Sequence, residues 1–155
     1  MIEIERKFLV NSEAFKEGSV NSYRITQGFL NTDPRRTVRV RIKGDSGFLT
    51  VKGKGNDKGT TRFEWETSIP VEEAEALMKL AEPGVIEKMR YEVPVGEHLF
   101  EVDEFFGDNT GLLVAEVELN SEDEAYETPV WLGEEVTGNN KYYNSQLSKH
   151  PFKTW

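Results

Sequence analysis

Charged and apolar residues alternate along most of this chain, starting with its first ten residues. In the segment Ile2–Val10, Glu3, Glu5 and Lys7 share one face of an extended backbone, and the other face is mainly apolar. A period of two residues is that of a β-strand, so this segment is predicted to be one. Two carboxylates and an ammonium on one strand face suit a site that holds a metal and an anion together.

The same pattern, a pair of charges two residues apart opposite an apolar face, returns in six further segments. Those pairs are Arg39 and Arg41, Lys52 and Lys54, Glu64 and Glu66, Lys88 and Arg90, Glu101 and Asp103, and Glu116 and Glu118. Solvated charges on half-exposed strands are the ordinary explanation for any one such pair. Because like charges two residues apart repel, a plain surface would tend to mix signs within a strand. Uniform sign within strands and opposite sign between strands favour a shared interior.

Strand-like segments follow one another closely and are separated by turn signals rich in glycine, proline, asparagine and aspartate. The predicted strands are Ile2–Val10, Ser22–Leu30, Arg36–Lys43, Gly47–Lys54, Thr61–Ile69, Val85–Val95, His98–Phe105 and Leu112–Leu119. Helical patterns are fewer. They predict a helix over Val71–Leu80, a short helix over Asn11–Lys16, a capped helical turn over Ser121–Ala125 and a terminal helix over Asn140–Lys149.

Eight strands joined mostly by hairpin-length turns can close into a barrel, which removes exposed sheet edges. The predicted fold is therefore an α+β fold dominated by β-structure: a closed eight-stranded antiparallel β-barrel with a charged interior and a few covering helices. Burying so many charges in a dry core would be prohibitively unfavourable, so the interior is expected to be a wet tunnel partly neutralised by ligand.

Composition fits one domain spanning residues 1–155, since 37% hydrophobic residues suffice for one core. No apolar run reaches membrane-spanning length, so no membrane partner is expected. The absence of cysteine excludes disulfides and thiolate metal sites, and it is compatible with the cytoplasm, where we expect the protein to act. A net charge of −9 argues against a nucleic-acid partner. Any anionic ligand must be small and held in a concentrated basic pocket.

The ordered set of charged motifs resembles the CYTH superfamily, the triphosphate tunnel metalloenzymes, and in particular their small bacterial inorganic triphosphatases. The segment Glu3-Ile4-Glu5-Arg6-Lys7 matches the ExExK signature of that family. The tail Val136–Asn144 is similar to its closing segment, and further matches follow in the family's order through Arg39-Val40-Arg41, Thr50-Val51-Lys52, Arg62-Phe63-Glu64-Trp65-Glu66, Lys88-Met89-Arg90-Tyr91, Phe100-Glu101-Val102-Asp103 and Ala115-Glu116-Val117-Glu118. The resemblance spans the chain and implies the same barrel.

The resemblance also implies roles for the charged residues. Mg²⁺ or Mn²⁺ is the implied cofactor, and such hard cations prefer oxygen ligands. The implied metal ligands are Glu3, Glu5, Glu116 and Glu118. The residues expected to bind the phosphate chain are Arg39, Arg41, Lys52, Arg62, Lys88, Arg90 and Lys141. The implied catalytic residues are Lys7, Glu5 and Lys52, with Lys7 beside the scissile phosphate. Three roles stay open for Glu64, Glu66, Glu101 and Asp103: orienting the basic residues, binding a second metal or acting as the base.

Metal-dependent hydrolysis of inorganic triphosphate to pyrophosphate and phosphate is the function that this resemblance favours. Class IV-type adenylate cyclases and thiamine or nucleoside triphosphatases share the fold and remain alternatives. A chain of 155 residues has little inserted sequence for a nucleoside or thiazole pocket, which favours the bare substrate. A non-catalytic module that binds a phosphorylated ligand is the alternative of another class. The resemblance leaves a homodimer open.

Overall fold

The chain folds mainly into β-structure in the computed structural model, which describes residues 1–155. Its strands are β1 (Ile2–Val10), β2 (Asn21–Asn31), β3 (Arg36–Lys43), β4 (Ser46–Gly53), β5 (Thr61–Ile69), β6 (Ile86–Val95), β7 (His98–Phe105), β8 (Leu113–Glu118) and β9 (Leu132–Glu135). Its α-helices are α1 (Val71–Met78) and α2 (Asn144–Leu147). Short 3-10 turns cover Ala14–Gly18, Gly107–Asn109, Asn140–Tyr142 and Phe152–Thr154.

Eight of the strands close into an antiparallel barrel, as the sequence predicts. Neighbouring strands pair in the order β5-β4-β3-β2-β6-β7-β8-β1, and the pairing of β1 with β5 completes the ring. The ninth strand, β9, lies beside the end of β1 and was not predicted from the sequence. It has only four residues without clear alternation, and Gly133 packs its backbone against the Leu9 carbonyl. A strand of four residues is too short to show a clear period in the sequence.

The main apolar core lies outside the barrel wall, which agrees with the predicted inverted arrangement. Outward-facing residues of β1, β6, β7 and β8 pack against Phe15 and Trp131, which come from the segments that cover them. Phe15 is fully buried and meets Tyr91 and Trp131 edge to face, with ring centres 5.3 Å and 6.0 Å apart. Large rings from outside the sheet thus supply the burial that the charged interior does not.

At one end, the inward-facing positions of the barrel change from charged to apolar. Ile86, Phe105 and Val114 occupy the inward positions next to the charged ones on β6, β7 and β8, and they form a cluster with Leu112 and Leu147. Since Leu147 belongs to α2, this short helix packs into the end of the barrel and not onto its outer face. The cavity that remains is therefore bounded at this end by the C-terminal segment.

The helical predictions held for α1 and less well elsewhere. The predicted helix Asn11–Lys16 is instead the 3-10 turn Ala14–Gly18. The predicted helical turn at Ser121–Ala125 is a single reverse turn. The backbone N–H of Asn120 donates a hydrogen bond to Glu124 Oε1 there. The predicted terminal helix is interrupted at Tyr143, whose ψ of 136° is that of an extended residue. None of the helices is long and apolar enough to cross a lipid bilayer.

Candidate active site inside the barrel

A cavity of about 530 Å³ occupies the barrel interior, and every barrel strand contributes to its lining. Only two of the 30 lining residues are hydrophobic, so the cavity is a wet, charged space. Its basic side chains are Lys7, Arg39, Arg41, Lys43, Lys52, Lys54, Arg62, Lys88 and Arg90. Its glutamates are Glu3, Glu5, Glu64, Glu66, Glu101, Glu116 and Glu118. The structure thus brings together nearly all the residues that the sequence assigned to one site.

Arg90, Asp103 and Lys88 form the most deeply buried ionic group of the cavity wall. Strand register places Arg90 directly opposite Asp103, whose two carboxylate oxygens accept from Nε at 2.7 Å and Nη2 at 2.9 Å. Lys88 Nζ lies 2.8 Å from Oδ2 of the same carboxylate. Although burial raises the pKa of Asp103, Arg90 and Lys88 bring it below its ordinary value. Asp103 does not line the cavity, so it orients the two cations that do.

A second basic pair, Arg39 and Arg41, is gathered around one carboxylate of β5. Glu66 Oε2 lies 3.6 Å from Arg39 Nη2 and 3.4 Å from Arg41 Nη2, and it accepts from Thr50 Oγ1 at 2.6 Å. Burial and the nearby Arg41 lower the pKa of Arg39 to about 10. The Nε–H groups of both arginines are buried without a partner. Buried donors without partners beside a cavity are what an anionic ligand would satisfy.

The two lysines assigned to catalysis lie among the carboxylates of β1, β5 and β8. Lys52 Nζ contacts Glu3 Oε1 at 2.9 Å and Glu64 Oε2 at 3.3 Å. Lys7 Nζ lies 3.6 Å from Glu116 Oε1, its cross-strand neighbour, and 5.0 Å from the ring centre of Tyr143. Each ammonium therefore contacts at least one carboxylate of the acidic part of the cavity.

The surroundings of Glu5 strongly disfavour the ionised form of its carboxyl group. Burial, followed by the charges of Glu116 and Glu3, raises the pKa of Glu5 well above its ordinary value. Burial also raises the pKa of Glu116, but Lys7 and Arg90 outweigh it and hold that pKa below its usual range. Both carboxylates line the same cavity and repel each other, so at neutral pH a proton or a cation between them relieves their repulsion.

The donor set suits a hard divalent cation, because Glu3, Glu5, Glu116 and Glu118 offer only carboxylate oxygens on the paired strands β1 and β8. As the side chains stand, no three acidic or histidine side chains converge closely enough to enclose a metal. Glu3 is engaged by Lys52, and Glu116 leans toward Lys7. A bound cation would therefore compete with these two lysines for its ligands.

Two of the residues assigned to phosphate binding lie apart from the main group. Arg62 lines the cavity, but its Nε donates to the Gly53 carbonyl at 3.0 Å, near the β4–β5 loop. Lys141 does not line the cavity, and its Nζ lies 4.0 Å from the ring centre of Trp155 on the outside of the closing segment. The structure therefore does not support a phosphate contact by Lys141.

Several polar residues of the site carried no signal in the charge pattern. Thr50 lies between Arg39 and Glu66, and Tyr143 and Asn144 enter the cavity from the C-terminal segment. Gln27 is fully buried on β2, the one barrel strand without a charged pair facing inward. Gln27 lies two residues from both Ile25 and Phe29, so the strand period places all three side chains on the same face. This spacing is the one sequence signal that places Gln27 inside the barrel.

Comparison with known proteins agrees with this geometry. The CYTH domain profile matches residues 1–151. An inorganic triphosphatase of Acetivibrio thermocellus is 44% identical over 154 residues, which cover 99% of this chain and 97% of the relative. An inorganic triphosphatase of Nitrosomonas europaea is 40% identical over 154 residues, covering 96% of this chain and 97% of the relative.

Solved structures show the same barrel. A crystal structure of an inorganic triphosphatase aligns with a TM-score of 0.68 at 36% identity, covering 94% of this chain and 93% of that one. A protein of Pyrococcus horikoshii aligns with a TM-score of 0.62 at 22% identity over 77% of this chain and 80% of its own, and it supports the fold alone. The matches in sequence and in fold confirm the resemblance, and this chain belongs to the CYTH domain family.

Proposed function

We propose that this protein hydrolyses inorganic triphosphate to pyrophosphate and phosphate inside the barrel. Water adds to a terminal phosphorus, the P–O–P bond to that phosphorus breaks, and the water proton is released to solvent or to a cavity base. One observation carries the proposal: a single cavity inside the barrel holds clustered cations on one side and a group of carboxylates on the other. Relatives that match over nearly their full length are inorganic triphosphatases.

The phosphate chain is proposed to lie along the basic side of the cavity. Arg39 and Arg41 offer the unpartnered Nε–H groups, and guanidinium groups make forked contacts with phosphate oxygens. Arg90 and Lys88, held by Asp103, supply fixed charges where no reorientation is needed during the reaction. Arg62 extends this side of the cavity toward the β4–β5 loop. Phosphoryl transfer depends mainly on such positioning and charge stabilisation.

The acidic side is proposed to hold Mg²⁺ or Mn²⁺ through Glu3, Glu5, Glu116 and Glu118. A bound divalent cation supplies charge neutralisation for phosphate oxygens and a lower pKa for coordinated water. Lys7 and Lys52 contact carboxylates of this side and are proposed to bind the phosphate oxygens that the cation also contacts. Among the open residues, Glu64 contacts Lys52, Glu66 contacts Arg41 and Glu101 contacts Arg90, so each is proposed to orient a basic side chain.

A bare triphosphate fits this cavity better than a nucleotide or thiamine derivative. Only two hydrophobic residues line it, so it offers little apolar surface against which a base or thiazole ring could pack. A purely anion-binding module is disfavoured because the cavity carboxylates Glu5 and Glu116 would repel an anion unless a cation accompanied it.

Substrate preference follows from this lining. With Mg²⁺ or Mn²⁺, kcat/KM for tripolyphosphate is expected to exceed that for ATP by at least about tenfold, on the order of 1.4 kcal/mol. Phosphate release from tripolyphosphate, ATP, thiamine triphosphate and pyrophosphate measures this preference, and EDTA provides the metal-free control. Cyclic AMP as the main product from ATP would contradict the assignment, and negligible release from every compound would favour the binding module.

The pH dependence is expected to show an alkaline limit set by Lys88. Burial lowers the pKa of Lys88 to about 8, with Arg90 acting in the same direction and Asp103 opposing it. As pH rises through about 8, Lys88 loses its charge in the free enzyme, so kcat/KM for tripolyphosphate should fall. In Lys88→Arg the charge persists, so the fall in kcat/KM should occur at higher pH. If the fall occurs at the same pH in that variant, the alkaline limit is set by another group.

A further inference from the structure

Asn144, the first residue of α2, joins the C-terminal segment to the basic wall of the cavity. Its Oδ1 accepts from Lys88 Nζ at 2.9 Å and from Gln27 Nε2 at 2.6 Å. An amide oxygen has two lone pairs, and both are engaged by these donors. The side-chain amide of Asn144 is therefore held in one orientation, with its oxygen on Lys88.

This contact decides where the Lys88 ammonium can point. An ammonium has three N–H donors, and Asp103 Oδ2 at 2.8 Å and Asn144 Oδ1 at 2.9 Å take two of them. Asp103 cannot rotate to follow Lys88, because its two oxygens are also bound to Arg90. One N–H of Lys88, whose side chain lines the cavity, is left for a ligand oxygen.

Gln27 supports Asn144 at a cost to the fold. Its side chain is fully buried, and its Oε1 has no hydrogen-bond partner. A buried polar atom without a partner is destabilising, so an apolar residue at this inward position of β2 would be more favourable for stability alone. The presence of a glutamine here is explained if Gln27 Nε2–H is needed to hold Asn144 Oδ1 toward Lys88.

We propose that Asn144 is a positioning residue that aims the Lys88 ammonium at the substrate phosphate, with Gln27 locking the amide of Asn144. The inference rests on the proposed function in that Lys88 contacts the phosphate chain. It adds that the C-terminal segment completes the phosphate site and does more than cover the end of the barrel. Leu147 already anchors α2 in the apolar cluster at that end, so Asn144 is not needed for docking the helix.

A double-mutant cycle on the full-length protein tests this role. Asn144→Leu keeps the side-chain size but removes the acceptor, and it should lower kcat/KM for tripolyphosphate by about 10- to 100-fold. In the Lys88→Met background, the same change should cost less than about twofold, because the group that it positions is gone. Gln27→Leu should show a smaller loss with the same dependence on Lys88. The matched control is Ser148→Ala, whose hydroxyl bonds only the Ser145 carbonyl of the same segment and should leave activity within about twofold.

Equal losses from Asn144→Leu in the wild-type and Lys88→Met backgrounds would overturn the inference, because a purely structural role adds independently. If Asn144→Leu does not fold, the cycle is run with Gln27→Leu/Asn144→Leu, which removes both polar partners together and leaves neither amide unpaired. If the wild-type protein releases no phosphate, the proposed function fails separately. The cycle is then read from calorimetric titration with tripolyphosphate in EDTA, where loss of affinity that depends on Lys88 supports the inference and additive loss overturns it.

Discussion

Glu5→Gln is expected to reduce metal-dependent phosphate release at least about 100-fold, about 2.7 kcal/mol on the barrier, while making the metal-free protein more stable. The amide keeps the size of the side chain but removes the charge at the centre of the carboxylate group, between Glu3 and Glu116. The pKa of Glu5 is raised in the folded protein, so its ionised form destabilises the fold above the ordinary carboxyl pKa. A permanently neutral side chain removes that penalty at neutral pH, and activity and stability should move in opposite directions.

Initial rates at saturating Mg²⁺ and thermal unfolding in EDTA measure the two effects. Glu134→Gln, an exposed change on β9 outside the cavity, is the control and should alter neither. A Glu5→Gln protein that retains more than a tenth of wild-type activity would remove Glu5 from the metal site. Lower stability of this variant in EDTA would show that the Glu5 carboxylate is stabilised in the fold and not strained.

Asp103→Asn is expected to destabilise the metal-free and phosphate-free protein by about 3–5 kcal/mol, since breaking a buried ion pair leaves uncompensated charge. The Asp103 side chain is 3% exposed and is the shared partner of Arg90 and Lys88. An amide of the same shape accepts a hydrogen bond but offers no charge to the two buried cations. Tripolyphosphate should then stabilise the variant more than it stabilises the wild-type protein, because the ligand supplies the missing negative charge to the same cations.

Urea unfolding with and without tripolyphosphate in EDTA measures this difference. Glu101→Gln is the matched control: Glu101 also contacts Arg90, at 3.4 Å, but its side chain is 34% exposed, so its loss should change stability by less than about 1 kcal/mol. Equal sensitivity of the two variants would mean that burial does not strengthen the Asp103 interaction. An Asp103→Asn protein that tripolyphosphate stabilises no more than wild type would place the phosphate chain away from Arg90 and Lys88.

Strand alternation was sufficient to predict the barrel, because the side-chain period of a strand is two and the charged positions kept that period over seven segments. The confirmed inversion, with charges inside, rested on uniform sign within each strand. Register was not readable from the pattern, yet it decides which charges meet. Arg90 opposite Asp103 and Lys7 opposite Glu116 are products of the pairing between particular strands.

Elements outside the alternating strands were predicted poorly, because they carry no regular pattern of charged and apolar residues. Phe15 lies in a 3-10 turn and Trp131 in a turn before β9, and the aromatic contact between them joins segments more than a hundred residues apart. The break at Tyr143 likewise reflects the fit of α2 into the barrel end and not a local helix-breaking residue. Tertiary packing overrides weak local preference in such segments.

The sequence by itself determined which charged residues face the interior and which family the chain resembles, since both depend on residue type and spacing along single strands. Only the tertiary structure decided how those charges are shared: Asp103 holds two cations, Lys141 turns outward to Trp155, and Asn144 reaches Lys88 from the C-terminal segment. Uncharged partners such as Gln27 leave no mark in a charge pattern. Their hydrogen bonds cross from one strand or segment to another, and that proximity exists only after the barrel has closed.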